Sequence, residues 1–250
     1  MFSDTALARR IEWGEALNAA GSGESIAICG GYANFAGVGS PVTHAIGLGM
    51  NGPVTAAEFD RMEEFYRSRG SAVNLDLCPH ADWSLFELVA QRGYRIVECN
   101  NTLAGPVVGS TDARVRMADP CEEDAWNRTL IKGFFPASEI TPAELDIGSR
   151  MFRLEGATAW MGIVDGQPVS AAAMNTRGKL ALLFADSTLQ KFRGQGLHLA
   201  LIRARLHLAA KLGCDLATAS TAPGSGSQRN YERAGFRVVY TKLNMQRDWA

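Results

Sequence analysis

The sequence predicts an α+β fold of two similar domains. Three observations carry that expectation. Helix-like and strand-like segments alternate over the 250 residues. Their order restarts after a Gly/Pro/Ser-rich passage, "AGPVVGSTDA", which reads as a linker. Finally, the joint Arg92-Gly93-Tyr94-Arg95-Ile96-Val97 matches Ala234-Gly235-Phe236-Arg237-Val238-Val239, and Gly70 and Gly213 precede the two joints by nearly the same distance. Matched order with matched spacing points to two copies of one unit, placed at 1–105 and 112–250.

Each element has its own warrant. The first segment is an amphipathic helix with Ser3 as its cap and Leu7, Ile11, Ala16 and Leu17 as its apolar positions. "SIAICGGYANFAGV" and "VTHAIGLGM" are strand-like, and "NGPVTAAEFDRMEEFYRSRG" is helical. A strand "AVNLDL", a helix "DWSLFELVAQRG" and a strand "YRIVECNNTL" close the first half. In the second half "PCEEDAWNRTLIKGFF" is helical, and "ATAWMGIVDGQPVSAAAMNT" is two strands about an Asp165-Gly166 turn. The strand "KLALLFADSTL" leads into a glycine loop and a helix reaching about Leu212; "CDLATAS", "GSQRNYERAG" and "FRVVYTKLNM" follow as strand, helix and strand.

Composition narrows the function. A net charge of −1 gives no global attraction to nucleic acid or an anionic membrane. Five scattered cysteines without a CxxC pair read as reduced thiols, not a disulfide framework or a zinc site. The opening helix lacks a signal-peptide core, and no apolar run has membrane-spanning length, so the expectation is a cytoplasmic protein. Cys78-Pro79-His80-Ala81-Asp82 has ligand-type residues but no second cluster, and reads as a turn into the next helix. No metal is expected.

The chemistry-bearing stretch is "QKFRGQGLHLALIRARL", Gln190 to Leu206. Here a strand ends and a helix begins, so the first helical turn offers unpaired N–H groups and the positive end of the helix dipole. Glycines let several of those amides converge on one anion. A Walker loop is absent, and Gly194-Gln195-Gly196 lacks the third glycine of a dinucleotide fingerprint. A ligand-free turn with two glycines is the bland reading. On the helix, Arg203, His207 and Lys211 form one polar stripe opposite Leu197, Ala204 and Leu208.

Arg193-Gly194-Gln195-Gly196-Leu197-His198 resembles the [RQ]xxGx[GA] acyl-CoA loop of the GNAT (GCN5-related N-acetyltransferase) superfamily. "ATAWMGIVDGQPVSAAAM" is similar to that family's first hairpin and "NYERAGFRVV" to its closing segment, in the family's order over residues 112 to 247. The first half looks like a degenerate copy, with Pro53 and no Arg or paired glycines where the loop should be, so the whole resembles a tandem member. The resemblance implies two GNAT-like domains, each a mixed, mostly antiparallel twisted sheet flanked by helices, and acyl transfer from acetyl-CoA to a small-molecule or peptide amine. It implies that amides from Gly194 through Gln195, Gly196 and Leu197 to His198 hold the pyrophosphate, with Arg193 leading in, and that main-chain groups near Ser187 and Thr188 pair with the pantetheine arm. It offers Tyr231 as proton donor to the departing thiolate, against a packed half-buried aromatic; Asp186 is a candidate base, against a solvated strand end. His198 stands where the family has Gly or Ala, and Gly224 where it often has Asn; Ser225, Ser227 and Asn230 are candidates for that missing contact. A catalytically silent acyl-CoA sensor stays open as an alternative, and aminoacyl transfer from charged tRNA is disfavoured by the intact loop and neutral charge.

Overall fold

The computed structural model describes residues 4–137 and 139–249. The chain divides into two compact units, one running to Thr102 and taken up again from Val238, the other from Leu103 to Arg237. Both are α+β, with helices on a mixed sheet.

The first unit begins with α1 (Thr5–Ala20), whose cap is Asp4, accepting from the amides of Ala6 and Leu7; the expected cap Ser3 lies outside the described residues. A hairpin follows, β1 (Glu24–Ile28) and β2 (Gly31–Phe35), paired antiparallel. The single strand-like run of the sequence is therefore two strands, because Cys29 and Gly30 both adopt left-handed backbone (φ 51° and 78°) and turn the chain back. Next, β3 (Ala45–Ile46) is only two residues long: Gly47 and Gly49, at φ 75° and 68°, bend the chain off the sheet. Then come α2 (Ala56–Arg67), closed by a Thr55/Glu58 capping box, β4 (Val73–Leu77), α3 (Trp83–Gln91) and β5 (Arg95–Gly105). Asp82 of the Cys78–Asp82 stretch caps α3 through the Ser84 amide. Leu48, Phe59, Met62, Tyr66, Leu75 and Leu85, each almost wholly buried, anchor the core of this unit.

The second unit opens with β6 (Val115–Met117), α4 (Glu123–Phe134) and α5 (Pro142–Phe152). Two of these are absent from the sequence reading. The helix α5 carries a legible start signal, Thr141-Pro142-Ala143-Glu144, with a complete capping box and proline in the first turn. The hairpin β7 (Thr158–Val164) and β8 (Gln167–Arg177) turns at Asp165-Gly166, as the sequence predicts. After it come β9 (Leu180–Thr188), α6 (Leu197–Lys211), β10 (Leu216–Thr221), α7 (Gly226–Arg233) and β11 (Arg237–Arg247). Within this unit the strand order is β10-β9-β8-β7-β6, antiparallel except for the parallel pair of β9 and β10. Trp126 of α4 is fully buried on the sheet and donates its indole N–H to the carbonyls of Trp160 and Ala172.

The final strand departs from the expected second domain of 112–250. Residues of β11 pair antiparallel with β4, Leu243 opposite Leu77 and Met245 opposite Leu75, which places this strand in the first unit. The order there is β1-β2-β3-β4-β11-β5, with β3 and β4 parallel. Both units thus hold an antiparallel hairpin, a third strand, a helix and then a parallel strand.

By bringing β11 home, the first unit also buries a charge. Lys242, 3% exposed in its side chain, pairs with Glu12 at 2.9 Å and with Glu15, and Tyr240 donates its phenol to Glu12 at 2.7 Å. Burial pushes the Glu12 carboxyl up to about 7 against the pull of Lys242. Removing one partner of a buried pair leaves an uncompensated charge, a cost of about 3–5 kcal/mol. Lys242→Met is therefore expected to lower unfolding stability by about that amount near neutral pH. A raised carboxyl pKa makes the folded state hold the extra proton, so stability falls as pH rises from the unfolded value toward the folded one. Without Lys242 that window extends upward, so urea unfolding should find a deficit that widens as pH rises above about 7.

Candidate active site

A cleft of about 480 Å³ opens where β9 ends and α6 begins. The sequence makes this opening in two ways. First, β9 and β10 are paired only from Leu180–Leu216 to Leu182–Thr218, so the later residues of β9 have no partner on that side. Second, β9 bulges: Ala171 faces Ser187 and Ala173 faces Phe184, leaving Ala185 and Asp186 together opposite Ala172, with Ala185 at φ 57°. The bulge re-aims Asp186 toward the cleft, which it lines.

The loop that closes the cleft is built on backbone. Gly194 and Gly196 have φ 80° and 77°, a region that disfavours any residue with a Cβ, and a Cβ at either would meet nothing within 4 Å. Gly196 is the cap residue of α6 and supplies no side-chain bond to the helix. The first-turn amides therefore have no side-chain cap and keep the positive helix end behind them. This is an arrangement that fits a phosphate or pyrophosphate.

Arg193 and Gln195 brace this loop. The Arg193 guanidinium donates from Nε to the Thr188 carbonyl at 3.1 Å and from Nη2 to the Gly133 carbonyl, at the end of α4, at 2.7 Å. The Gln195 carbonyl accepts from Arg114 at 3.0 Å. Gly133 is needed for another reason: a Cβ there would lie 2.5 Å from Ser187 Oγ and 3.1 Å from the Thr188 amide nitrogen. The end of α4 and the end of β9 are in direct contact because that position has no side chain.

Beneath the loop four side chains converge. Arg205 of α6, 0% exposed, ion-pairs with Asp186 Oδ1 and gives its other donors to the carbonyls of Leu201, Ala173 and Phe184. Tyr231 of α7, 1% exposed, donates its phenol to Asp186 Oδ2 at 2.5 Å. His198 Nε2 lies 3.4 Å from Asp186 Oδ1, without a hydrogen bond of its own. Its Nδ1 is 3.1 Å from Asn230 Nδ2. Since Asn230 Oδ1 accepts from Arg233 at 3.0 Å, the amide orientation is set and Nδ1 is the acceptor, leaving the proton on Nε2 toward Asp186. The His198 ring also meets Tyr231 edge-on, centroids 5.7 Å apart. Burial alone would raise the Asp186 carboxyl, but the charge of Arg205, with help from His198 and Tyr231, holds it down at about 2. The Tyr231 phenol is pushed well above its ordinary value by burial and by the neighbouring carboxylate.

The structure thus brings most of the sequence-derived residues to one place. Asp186, Ser187, Thr188, Arg193, Gly194, Gly196, Leu197 and His198 line the cleft; Gln195 and Tyr231 do not. Asp186 is a solvated strand end in neither environment nor partners, being locked in an ion pair. The carbonyls of Ser187 and Thr188 already accept from Ser170 Oγ (2.6 Å) and Arg193. His198 turns its ring inward to Asp186 and Asn230. Of the candidates for the polar contact missing at Gly224, Asn230 reaches His198, and Ser225 caps α7 through the Gln228 amide. The sequence reading missed Arg205, Gly133 and Phe134, which also lines the cleft. Arg205 was detectable as a charge four residues from Leu201 and from Ala209, inside the apolar stripe of α6.

No protein-family model matches the sequence, and no curated protein matches it. Solved structures do. A GCN5-related N-acetyltransferase from Kribbella flavida superposes with a TM-score of 0.73 at 18% identity, over 98% of this chain and 96% of that one. A GCN5-related N-acetyltransferase from Sphaerobacter thermophilus gives 0.57 at 16% identity, over 77% and 67%. A tandem GNAT protein from the clavulanic acid biosynthesis pathway gives 0.54 at 15% identity, over 76% and 68%. At these identities the likeness is one of fold: this chain has a GNAT-like α+β fold.

The buried pair gives a test of the geometry. Arg205→Met should cost about 3–5 kcal/mol at neutral pH, by leaving Asp186 buried without its countercharge. A depressed carboxylate contributes stability above its unfolded pKa and loses it as pH falls through the folded one, here from about 4 down to about 2. The deficit of Arg205→Met, measured by chemical unfolding, should shrink across that interval.

Proposed function

We propose that the chain is an acyl-CoA-dependent N-acyltransferase whose second unit carries the reaction, with acetyl-CoA as acyl donor and a small-molecule or peptide amine as acceptor. The observation that carries this reading is the loop opened by Gly194 and Gly196 at the start of α6, beside a strand edge that β10 has left unpaired. A pyrophosphate on those amides would let an amide-bearing arm run along β9 in the manner of an added strand. The fold shared with acetyltransferases supports the assignment. The repeated element order supports reading the first unit as a related copy.

In the reaction, the amine nitrogen attacks the thioester carbonyl carbon, the C–S bond breaks, and the amine's surplus proton balances the one the thiolate takes up. Backbone N–H groups that the Ala185–Asp186 bulge takes out of the ladder would serve as donors to a developing oxyanion. Asp186, held down at about 2, is a weak proton acceptor at neutral pH. We assign it a positioning role, fixing His198 and Tyr231. Tyr231 does not line the cleft and meets it through Asp186 and His198, so we place it as a positioning residue as well. Its burial also favours a second reading, an acyl-CoA binder without turnover.

Acetyl-CoA should raise the melting temperature by linkage, and Gly196→Asp should abolish the shift by putting a carboxylate and a Cβ into the cradle. Absence of the shift in the unaltered protein would refute the donor assignment. Free-thiol release from acetyl-CoA, screened against amino acids, polyamines, aminoglycosides and peptide N-termini, separates enzyme from silent binder. For Tyr231→Phe, a positioning role predicts a loss of about 1–3 kcal/mol of stability with turnover reduced less than about tenfold. A fall of about 10²–10⁴ would make the phenol the proton donor.

A further inference from the structure

A separate concavity of about 430 Å³ lies within the first unit, between α1 and the loop that follows β3. Its lining includes Arg9, Arg10 and Trp13 from α1, and Gly47, Met50 and Asn51 from the loop. Nothing in the acyl-transfer reading uses it.

Its chemistry is one-sided. Among the described residues two arginines line it and no carboxylate does, so its charge favours an anion. Arg9 and Trp13 are one helical turn apart and Arg10 is three residues from Trp13, so all three share a face of α1. Trp13 is 44% exposed, unusual for so large an apolar ring, yet it is not loose: it rests against Tyr32 with centroids 5.8 Å apart. Arg9 is placed in advance by its Nε, which donates to the Met50 carbonyl at 2.8 Å. Gly30 and Gly47, both with left-handed backbone (φ 78° and 75°), also line it. Asn51 makes a long contact, 3.4 Å, to the Gly30 carbonyl. A fixed indole face beside guanidinium groups recognises a flat ring carrying a negative group, because the ring can stack while the anion is paired. The volume falls within the range of small-ligand sites, about 300–1,000 Å³.

We propose that this cleft binds a small aromatic anion, its ring on Trp13 and its phosphate or carboxylate on Arg9 and Arg10. Tryptophan fluorescence of the full chain, titrated with adenosine 5′-monophosphate and with benzoate, reads it directly. Adenosine and benzamide serve as uncharged counterparts. The expected result is saturable quenching by an anion, at least tenfold weaker with its neutral counterpart and at least tenfold weaker in Arg9→Ala or Arg10→Ala. Trp13→Phe should remove the quenching. Response to the nucleotide alone assigns a phosphate ligand, and response to benzoate alone a carboxylate. Arg10→Ala keeps the test decisive if loss of the Arg9–Met50 bond impairs folding. Quenching must persist in Gly196→Asp, which separates this cleft from the cradle of the second unit. The proposal is overturned if neither anion quenches, if both arginine variants bind as the unaltered protein does, or if Gly196→Asp abolishes the response.

Discussion

The ion pair between Arg205 and Asp186 is the contact around which the second unit's site is arranged. An arginine with no exposed surface in the middle of a helix is tolerable only if every donor is used. Here the guanidinium binds the carbonyls of Leu201, Ala173 and Phe184 as well as the carboxylate. Through those bonds α6 is fixed to β8 and to the bulge of β9. The carboxylate in turn gathers Tyr231 and His198, and so locates α7 and the first turn of α6. A desolvated pair of this sort adds little net stability compared with an apolar replacement, whereas breaking it on one side is costly. Its effect here is to specify which way the bulge faces and where the helix begins.

A second constraint works from the opposite side of the cleft. The absence of a side chain at Gly133 lets α4 end against Ser187, and the Gly133 carbonyl then accepts from Arg193. The glycine loop is consequently held at three places: by Arg193 to β9, by Arg193 to α4, and by Arg114 through the Gln195 carbonyl. The two left-handed glycines shape the loop; these bonds keep the shape. Phe134, half exposed at the same helix end, puts an apolar surface beside the polar floor made by Asp186 and His198.

Much of this was legible in the sequence where local chemistry decides structure. The Asp165-Gly166 turn, the glycines of the loop and the alternation of helix and strand are short-range signals, and the structure follows them. Long-range choices were less visible. The apolar pattern of β11 says that it is a strand but not that its partner is β4, so the unit boundary differed from the reading. Arg205 is an ordinary helix-surface residue until Asp186, which is distant in sequence, is placed beside it. For the same reason the direction of the His198 ring could not be read from the loop motif; it depends on Asn230 in a different helix. The helix α5 is the exception, since its cap signature was there to be used.

The role taken by Arg193 has a consequence for kinetics and heat. A cation at the edge of an anion site commonly swings in to meet its guest, losing rotamer entropy as it does so. In this chain the guanidinium is already committed to two carbonyls, so its charge acts as a standing field and its freedom is surrendered during folding. An anion arriving at the loop would meet a surface with little left to order. The entropic penalty of capture is then confined mainly to the guest, and rigidity of the host is inherited from the fold.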